Sequence, residues 1–230
     1  MWNPLTSPAL LPVRRPVKHA VWRLQRRSSD LERGAARHAT LTSAAFVAES
    51  MPLARPFRTP VAVLRHALSL APEKGLVAEF GVYSGATLRE IARERPGAHG
   101  FDSFEGLPED WRWAHGTGSW AAKSIPDIEG AELHVGWFSD TVPPFAEALD
   151  GPVAFLHLDA DLYSSTDTVL RAFEDRIEAG TVLLFDEYFN YPGWQEHEHR
   201  AFGEFVERTG REYEYAAYNS RGEQVAVRML

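Results

Sequence analysis

The sequence predicts an α/β fold, a mainly parallel sheet covered by helices and closed by a β-hairpin. From Leu76 onward, apolar runs of strand length alternate with helix-period patterns, the mark of βαβ units. The run VAFLHLD (153–159) is apolar at successive positions, as a central parallel strand buried on both faces must be. The chain then ends in YEYAAYN and EQVAVRML around Ser220, Arg221 and Gly222 with no helical pattern between them, which predicts a terminal hairpin.

The elements follow in order. LVAEFGV (76–82) is the first strand of the repeat, and a helix from about Ser84 to Glu94 stops before Pro96 and Gly97. HGFDSF (99–104) and ELHVGWF (132–138) are the second and third strands. The irregular stretch between them, Glu105 to Ala131, is too long for an ordinary connection and is expected to be a functional loop or lid. Pro143 to Leu149 predicts a short helix. After VAFLHLD, SSTDTVLRAFEDRIEAG predicts a helix capped by Ser164, with Val169, Leu170, Phe173 and Ile177 as its apolar stripe and Gly180 as its stop. TVLLFDEYF (181–189) is the fifth strand, and Trp194 to Thr209 the last helix.

Composition bounds the chemistry. The 230 residues are 44% hydrophobic and 24% charged, which places the chain among ordinary globular proteins, as one domain with an N-terminal extension. With no cysteine, disulfides, zinc-thiolate clusters and a cysteine nucleophile are excluded, so catalysis or metal binding must use carboxylates, hydroxyls or imidazoles. No apolar run approaches membrane-span length, and Pro4, Pro8 and Pro12 interrupt the apolar start that a secretory peptide would need. A cytoplasmic protein without membrane partners is expected.

The formal charge is −8, yet the first forty residues hold Arg14, Arg15, Lys18, Arg23, Arg26, Arg27, Arg33 and Arg37 against Asp30 and Glu32. This arm lacks the interleaved aromatics of a nucleic-acid binder, so no nucleic-acid partner is expected. Residues 1–60 are assigned to a basic arm and helical cap, solvated or in contact with a second subunit, and 61–230 to the main domain; a homodimer or higher homo-oligomer is expected.

The first strand runs into EFGVYSGAT (79–87), where Gly81 and Gly85 are four apart. This is not the G-x-G-x-x-G pattern that seats a pyrophosphate, and by itself it fits a tight turn equally well. Asp102, about twenty residues on at the end of the second strand, is placed to accept both hydroxyls of an adenosine ribose. An acid at the turn, Glu79, in place of a phosphate cradle favours a nucleoside carrying an ammonium group, a description met by S-adenosylmethionine.

FLHLDADLYSS (155–165) ends a buried strand in two acids. Neighbouring strands lie about 4.8 Å apart, so Asp159 at the end of the fourth strand faces Asp186 and Glu187 at the end of the fifth. Carboxylates converging there raise one another's pKa unless a cation holds them ionised. An all-oxygen set favours a hard ion such as Mg²⁺. His157 alternates with Asp159 and is assigned to the core. The run Glu196, His197, Glu198, His199 lacks the i, i+4 histidine spacing of a zinc helix and is assigned to a solvated face. Trp111, Trp113, Trp120, Phe189, Tyr191 and Trp194 are candidates for an acceptor wall, with core packing the alternative for half of them.

Together EFGVYSG, HGFDSFEGLPEDW, HLDADLYSST and FDEYFNYPGW resemble the macrocin-type sugar O-methyltransferases, from about Leu76 to the C-terminus. The resemblance implies the class I methyltransferase fold, Rossmann-like, with a seven-stranded sheet whose last strand is antiparallel. It implies that Glu79, Gly81, Tyr83, Gly85 and Thr87 surround the methionine part of the cofactor, Asp102 and Ser103 the ribose, and Phe138 and Ser139, in the loop after the third strand, the adenine. Core packing for Phe138 and turn roles for Ser103 and Tyr83 are the alternatives. Metal-dependent relatives carry their acids at the same strand ends, which supports Asp159, Asp186 and Glu187 as Mg²⁺ ligands, although many relatives have Asp where Glu187 stands. Catechol-type enzymes use a lysine at the position of Leu162 as base, so Asp161 or Asp159 is left for that role here.

The function expected is O-methylation of a small-molecule hydroxyl, such as one on a glycosylated natural product with a sugar or phenolic acceptor. N-methylation on the same fold and a non-catalytic adenosyl-binding or assembly protein are the alternatives.

Overall fold

The computed structural model of the chain describes residues 30–230. The basic residues from Arg14 to Arg27 lie outside the described residues.

Among the described residues, eight strands form one sheet: β1 (Arg55–Phe57), β2 (Leu76–Phe80), β3 (Ala98–Asp102), β4 (Ala131–Val135), β5 (Val153–Leu158), β6 (Val182–Phe185), β7 (Tyr213–Asn219) and β8 (Val225–Met229). Their spatial order is β1-β7-β8-β6-β5-β2-β3-β4. β2 to β6 run parallel, β8 is antiparallel to both neighbours, and β7–β8 is the expected hairpin. Beyond the seven expected strands, β1 pairs in parallel with β7, so the sheet reaches into the segment assigned to the arm.

The helices are α1 (Leu31–Ser50), α2 (Pro60–Leu70), α3 (Ala86–Glu94), α4 (Phe138–Ala148), α5 (Tyr163–Ala172) and α6 (Glu198–Thr209). Alternation along the strands splits the core in two. Val63, Leu64, Ala67 and Leu68 of α2 and Leu88 and Ile91 of α3 cover one face. Val142 of α4, Val169 and Leu170 of α5 and Phe202 and Phe205 of α6 cover the other, with Ala39 of α1. Among the described residues, no helix is long and apolar enough to cross a membrane.

Three local expectations need correction. α4 begins at Phe138, not Pro143, so Phe138 and Ser139 stand in its first turn and not in a loop. Ser164 does not cap α5: Leu162 holds the cap position without a side-chain bond, and Ser164 Oγ donates to Glu109 Oε1 at 2.6 Å. The run 196–199 is not a solvated face. Glu198 is fully buried, and the His199 ring packs 4.8 Å from Trp194 and 5.1 Å from both Phe46 and Tyr188.

Candidate active site

β2 and β5 are neighbours in the sheet although β3 and β4 lie between them in sequence, and the chain leaves them toward opposite flanks. Such a switch point opens a crevice beyond the carboxyl ends of the strands. The floor depends on Gly81. A Cβ there would stand 1.8 Å from the Asp159 carbonyl oxygen, and its φ of +95° is one that side chains rarely adopt. The absent side chain lets the ends of β2 and β5 close up, with Asp159 N–H donating to Phe80 O at 2.9 Å.

Asp102 closes the β3 end. Its Oδ2 accepts from Val82 N–H at 2.8 Å and Tyr83 N–H at 2.7 Å, and its Oδ1 from Phe104 N–H at 2.7 Å. Tyr83 (φ +48°) and Phe104 (φ +60°) are both left-handed, the backbone geometry that points their N–H groups at the carboxylate. A carboxylate offers about four lone-pair positions, so Asp102, with three taken, keeps room on Oδ1 for one ligand hydroxyl while its orientation is fixed.

The crevice is a cavity of about 510 Å³. Of the residues expected to hold a cofactor, Gly81, Tyr83, Asp102, Ser103, Phe138 and Ser139 line it. Glu79, Gly85 and Thr87 do not. Gly85 instead makes the αL turn into α3 against Ile128, where a Cβ would meet Ile128 Cδ1 at 2.5 Å.

Glu79 is fully buried, and its Oε1 lies 2.9 Å from Nδ1 of the equally buried His157. The other imidazole nitrogen, Nε2, is 3.5 Å from Asp186 Oδ1. This chain of three was not legible as a unit, because its members are scattered through the sequence. The signal was their placement, two residues beyond Val77, Phe155 and Leu184 on one sheet face, in neighbouring strands. Burial opposes the charge on His157, but hydrogen bonds to Asp186 and Glu79 outweigh it and hold its pKa well above the ordinary imidazole value. Burial also presses Asp186 upward, and the His157 bond more than offsets it, so that carboxyl lies below the usual range.

The acids converge as expected, in a different grouping. Asp159, Asp161 and Glu187 bring one oxygen each within 4.8 Å of one another, while Asp159 and Asp186 form a second such set with His157. Asp186 is turned away from the cavity, with Oδ2 accepting from Gln224 Nε2 at 2.9 Å, and Asp161 takes the position facing Glu187. Asp161 has φ +60°, strained for a non-glycine residue, of the kind that clusters at functional sites. Burial pushes its carboxyl up to about 7 against the pull of Arg112. Burial first, then the Asp186 charge, drives both Asp159 and Glu187 well above the carboxylate range.

Behind them lies Glu198, which sequence patterning missed. Its Oε2 accepts from Glu187 N–H at 2.9 Å, fixing the loop that carries Glu187. Of the aromatic candidates, Trp111 and Trp120 line the cavity and Trp113 is exposed. Phe189, Tyr191 and Trp194 are buried, and Trp111 meets Tyr191 edge-on at 5.9 Å. Arg112, also at the cavity, stacks over Trp111 at 3.8 Å and pairs with Glu223 at 3.2 Å.

Parallel strands ending in an antiparallel hairpin, with a cradle carboxylate at β3 and a crevice at the β2/β5 switch, define the class I methyltransferase fold. Residues 78–188 match the family model described as a methyltransferase domain, in keeping with that fold. A curated relative is the 8-demethyl-8-(2,3-dimethoxy-alpha-L-rhamnosyl)-tetracenomycin-C 4'-O-methyltransferase of Streptomyces olivaceus, 28% identical over 145 residues, 50% of this chain and 53% of that one. The chain thus spans about half the length of the curated relative it matches. Among solved structures it is similar in fold to the calicheamicin methyltransferase CalS11, with TM-score 0.57 and 22% identity over 87% of this chain and 93% of that one. It is also similar to the O-methyltransferase NovP, with TM-score 0.50 and 20% identity over 73% and 76%.

Proposed function

We propose that the chain methylates a hydroxyl of a sugar-bearing small molecule, using S-adenosylmethionine and a divalent cation, Mg²⁺ by the chemistry of the ligands. One observation carries this. A single cavity is lined on one side by Asp102, Ser103, Phe138 and Ser139, and on the other by Asp159, Asp161 and Glu187.

The residues fit both groups. Asp102 is pre-oriented toward a ribose, and the edge of Phe138, 5.8 Å from Phe80, offers an apolar flank for a purine. The three carboxylates form an oxygen-only set with spare capacity, since Glu187 Oε2 is buried without a hydrogen-bond partner. Burial and neighbouring carboxylates push Asp159 and Glu187 upward, a setting in which a bound cation would favour the ionised forms. When bound, the cofactor supplies an electrophilic methyl group and the cation acidifies and orients the acceptor hydroxyl.

The chain's own residues then do the rest. Asp161 stands in the cavity wall to receive the hydroxyl proton at its carboxylate, with Arg112 nearby to favour its ionised form. Asp159 and Glu187 fix the acceptor against the floor made by Gly81. Trp111 and Trp120 line the cavity and would offer apolar surface to the C–H face of a pyranose. The sugar acceptor is supported by the curated relative, whose name is that of an O-methyltransferase of a rhamnosylated compound.

The test is incubation with S-adenosylmethionine, Mg²⁺ and a panel of nucleotide-linked and glycosylated deoxysugars, with products read by mass spectrometry. The expected result is one added methyl on a sugar oxygen. Asp161→Asn should lower kcat by about 10²–10⁴-fold while calorimetric affinity for S-adenosylmethionine stays unchanged. Methylation of an amine, or full activity after chelation of divalent ions, would overturn the reading.

A further inference from the structure

At the edge of the sheet stands a second group of metal-type ligands, none of which lines the cavity. β4 is the outermost strand, and its parallel register places Glu132 opposite His99 and His134 opposite Phe101. Since side chains alternate, His99, Glu132 and His134 share one face. His99 Nδ1 lies 3.0 Å from His134 Nε2, and a Glu132 oxygen is within 4.8 Å of both.

We infer that His99, His134 and Glu132 form a binding site for a divalent transition ion of the Zn²⁺ type, which staples the edge strand β4 to β3. Two imidazole nitrogens and one carboxylate select Zn²⁺, Co²⁺, Ni²⁺ or Cu²⁺ over Mg²⁺, which prefers oxygen. The spacing suits this: nitrogens each about 2.1 Å from one ion stand roughly 3.0–3.4 Å apart at angles between square and tetrahedral. Without an ion, the contact requires one ring to donate N–H and the other to accept. On binding, the ion takes the place of that proton, which relocates to the far nitrogen of the same ring through solvent, so both rings stay neutral.

The rings are already fixed in place. His134 stacks on Phe101 at 4.4 Å with an interplanar angle of 16°, and Phe145 of α4 wedges against His134 at 4.8 Å and His99 at 5.0 Å. Little side-chain freedom remains to be lost on binding. Glu132 is exposed, which leaves the ion a solvent-facing side. β4 leads directly into Gly136, Trp137, Phe138 and Ser139 of the cavity wall, so a staple there would brace the segment expected to flank the cofactor.

The experiment titrates Co²⁺ into the full chain with Mg²⁺ saturating, so that the carboxylate cluster is filled, and follows visible absorption and melting temperature. The inference expects one equivalent of Co²⁺ giving a nitrogen-ligated band that Zn²⁺ bleaches, with a rise in melting temperature. His134→Phe, which keeps the ring stack, should abolish the band. The surface change Glu132→Gln should weaken Co²⁺ roughly ten-fold or more, and Asp159→Asn should leave it intact. No band, a band indifferent to both His134→Phe and Glu132→Gln, or a band lost in Asp159→Asn would each overturn it.

Discussion

Asp161 joins several observations in one side chain: a left-handed backbone, burial, a place in the cavity wall, and a carboxyl pushed up to about 7. A carboxyl whose folded pKa is raised favours the fold while protonated. Its stabilising contribution is complete below the unfolded value of 3.8 and is lost as pH rises through about 7. The metal-free protein should therefore lose melting temperature between about pH 4 and 7, and Asp161→Asn should flatten that slope, as scanning calorimetry across the range can check. Adding Mg²⁺ should reverse the slope at the alkaline end, because the ionised cluster is then the favoured form. Two adjacent acids at a strand end were visible in the sequence. That φ at Asp161 swings its carboxylate toward Glu187, and that Asp186 is taken up by His157 and Gln224, depends on partners 25 or more residues away and had no local signal.

At the scale of elements, the central parallel strands β2, β5 and β6 are legible because both their faces are buried, which forces continuous apolar runs. β1 was not: three residues with a central proline carry no period, and only pairing with β7 makes them a strand. α4 is longer than the sequence predicts, because Pro143 and Pro144 look like a helix start although the helix already runs from Phe138. Glu198 looked solvated beside three other polar residues. It is buried because the loop after β6 folds over it and needs a carboxylate for the Glu187 N–H. The β2 end gives a sharp contrast between glycines. Gly81→Ala would drive a methyl into the Asp159 carbonyl, so it should cost about 3 kcal/mol or more and reduce S-adenosylmethionine affinity. Gly97→Ala, also at positive φ but with no atom within 4 Å, should cost only the backbone strain of roughly 1–2 kcal/mol. Urea melts of the two variants, with calorimetric titration of the cofactor, separate close approach from conformation.

Across the whole molecule, the two expected functions of the crevice rest on different supports. The cradle side belongs to β2, β3 and the start of α4. The acid side belongs to β5, β6 and the loop 186–194, and α1 ties that loop down. Ser43 Oγ accepts from Asn190 N–H at 2.8 Å, Thr40 Oγ1 donates to Asn190 Oδ1 at 3.0 Å, and Trp194 Nε1 donates to Thr42 Oγ1 at 3.2 Å. Phe46 sits at the centre of this contact, its ring 5.4 Å from Trp194, 5.8 Å from Tyr215 and 6.3 Å from Tyr188. Charge contrast alone marked the N-terminal segment as separate, yet this helix packs into the same aromatic cluster as β7 and α6. Phe46→Ala should therefore act on one side only. Because the ring is half-buried, the expected loss is about 2 kcal/mol, below that of a fully buried phenylalanine. Loosening of the 186–194 loop should weaken Mg²⁺ binding and raise KM for the acceptor. S-adenosylmethionine affinity should stay near the parent value, since these side-chain hydrogen bonds of α1 run to the 186–194 loop. Calorimetry of the variant with each ligand in turn decides it: an equal loss for cofactor and cation would mean that the crevice responds as one body and that α1 supports the fold without singling out the acid side.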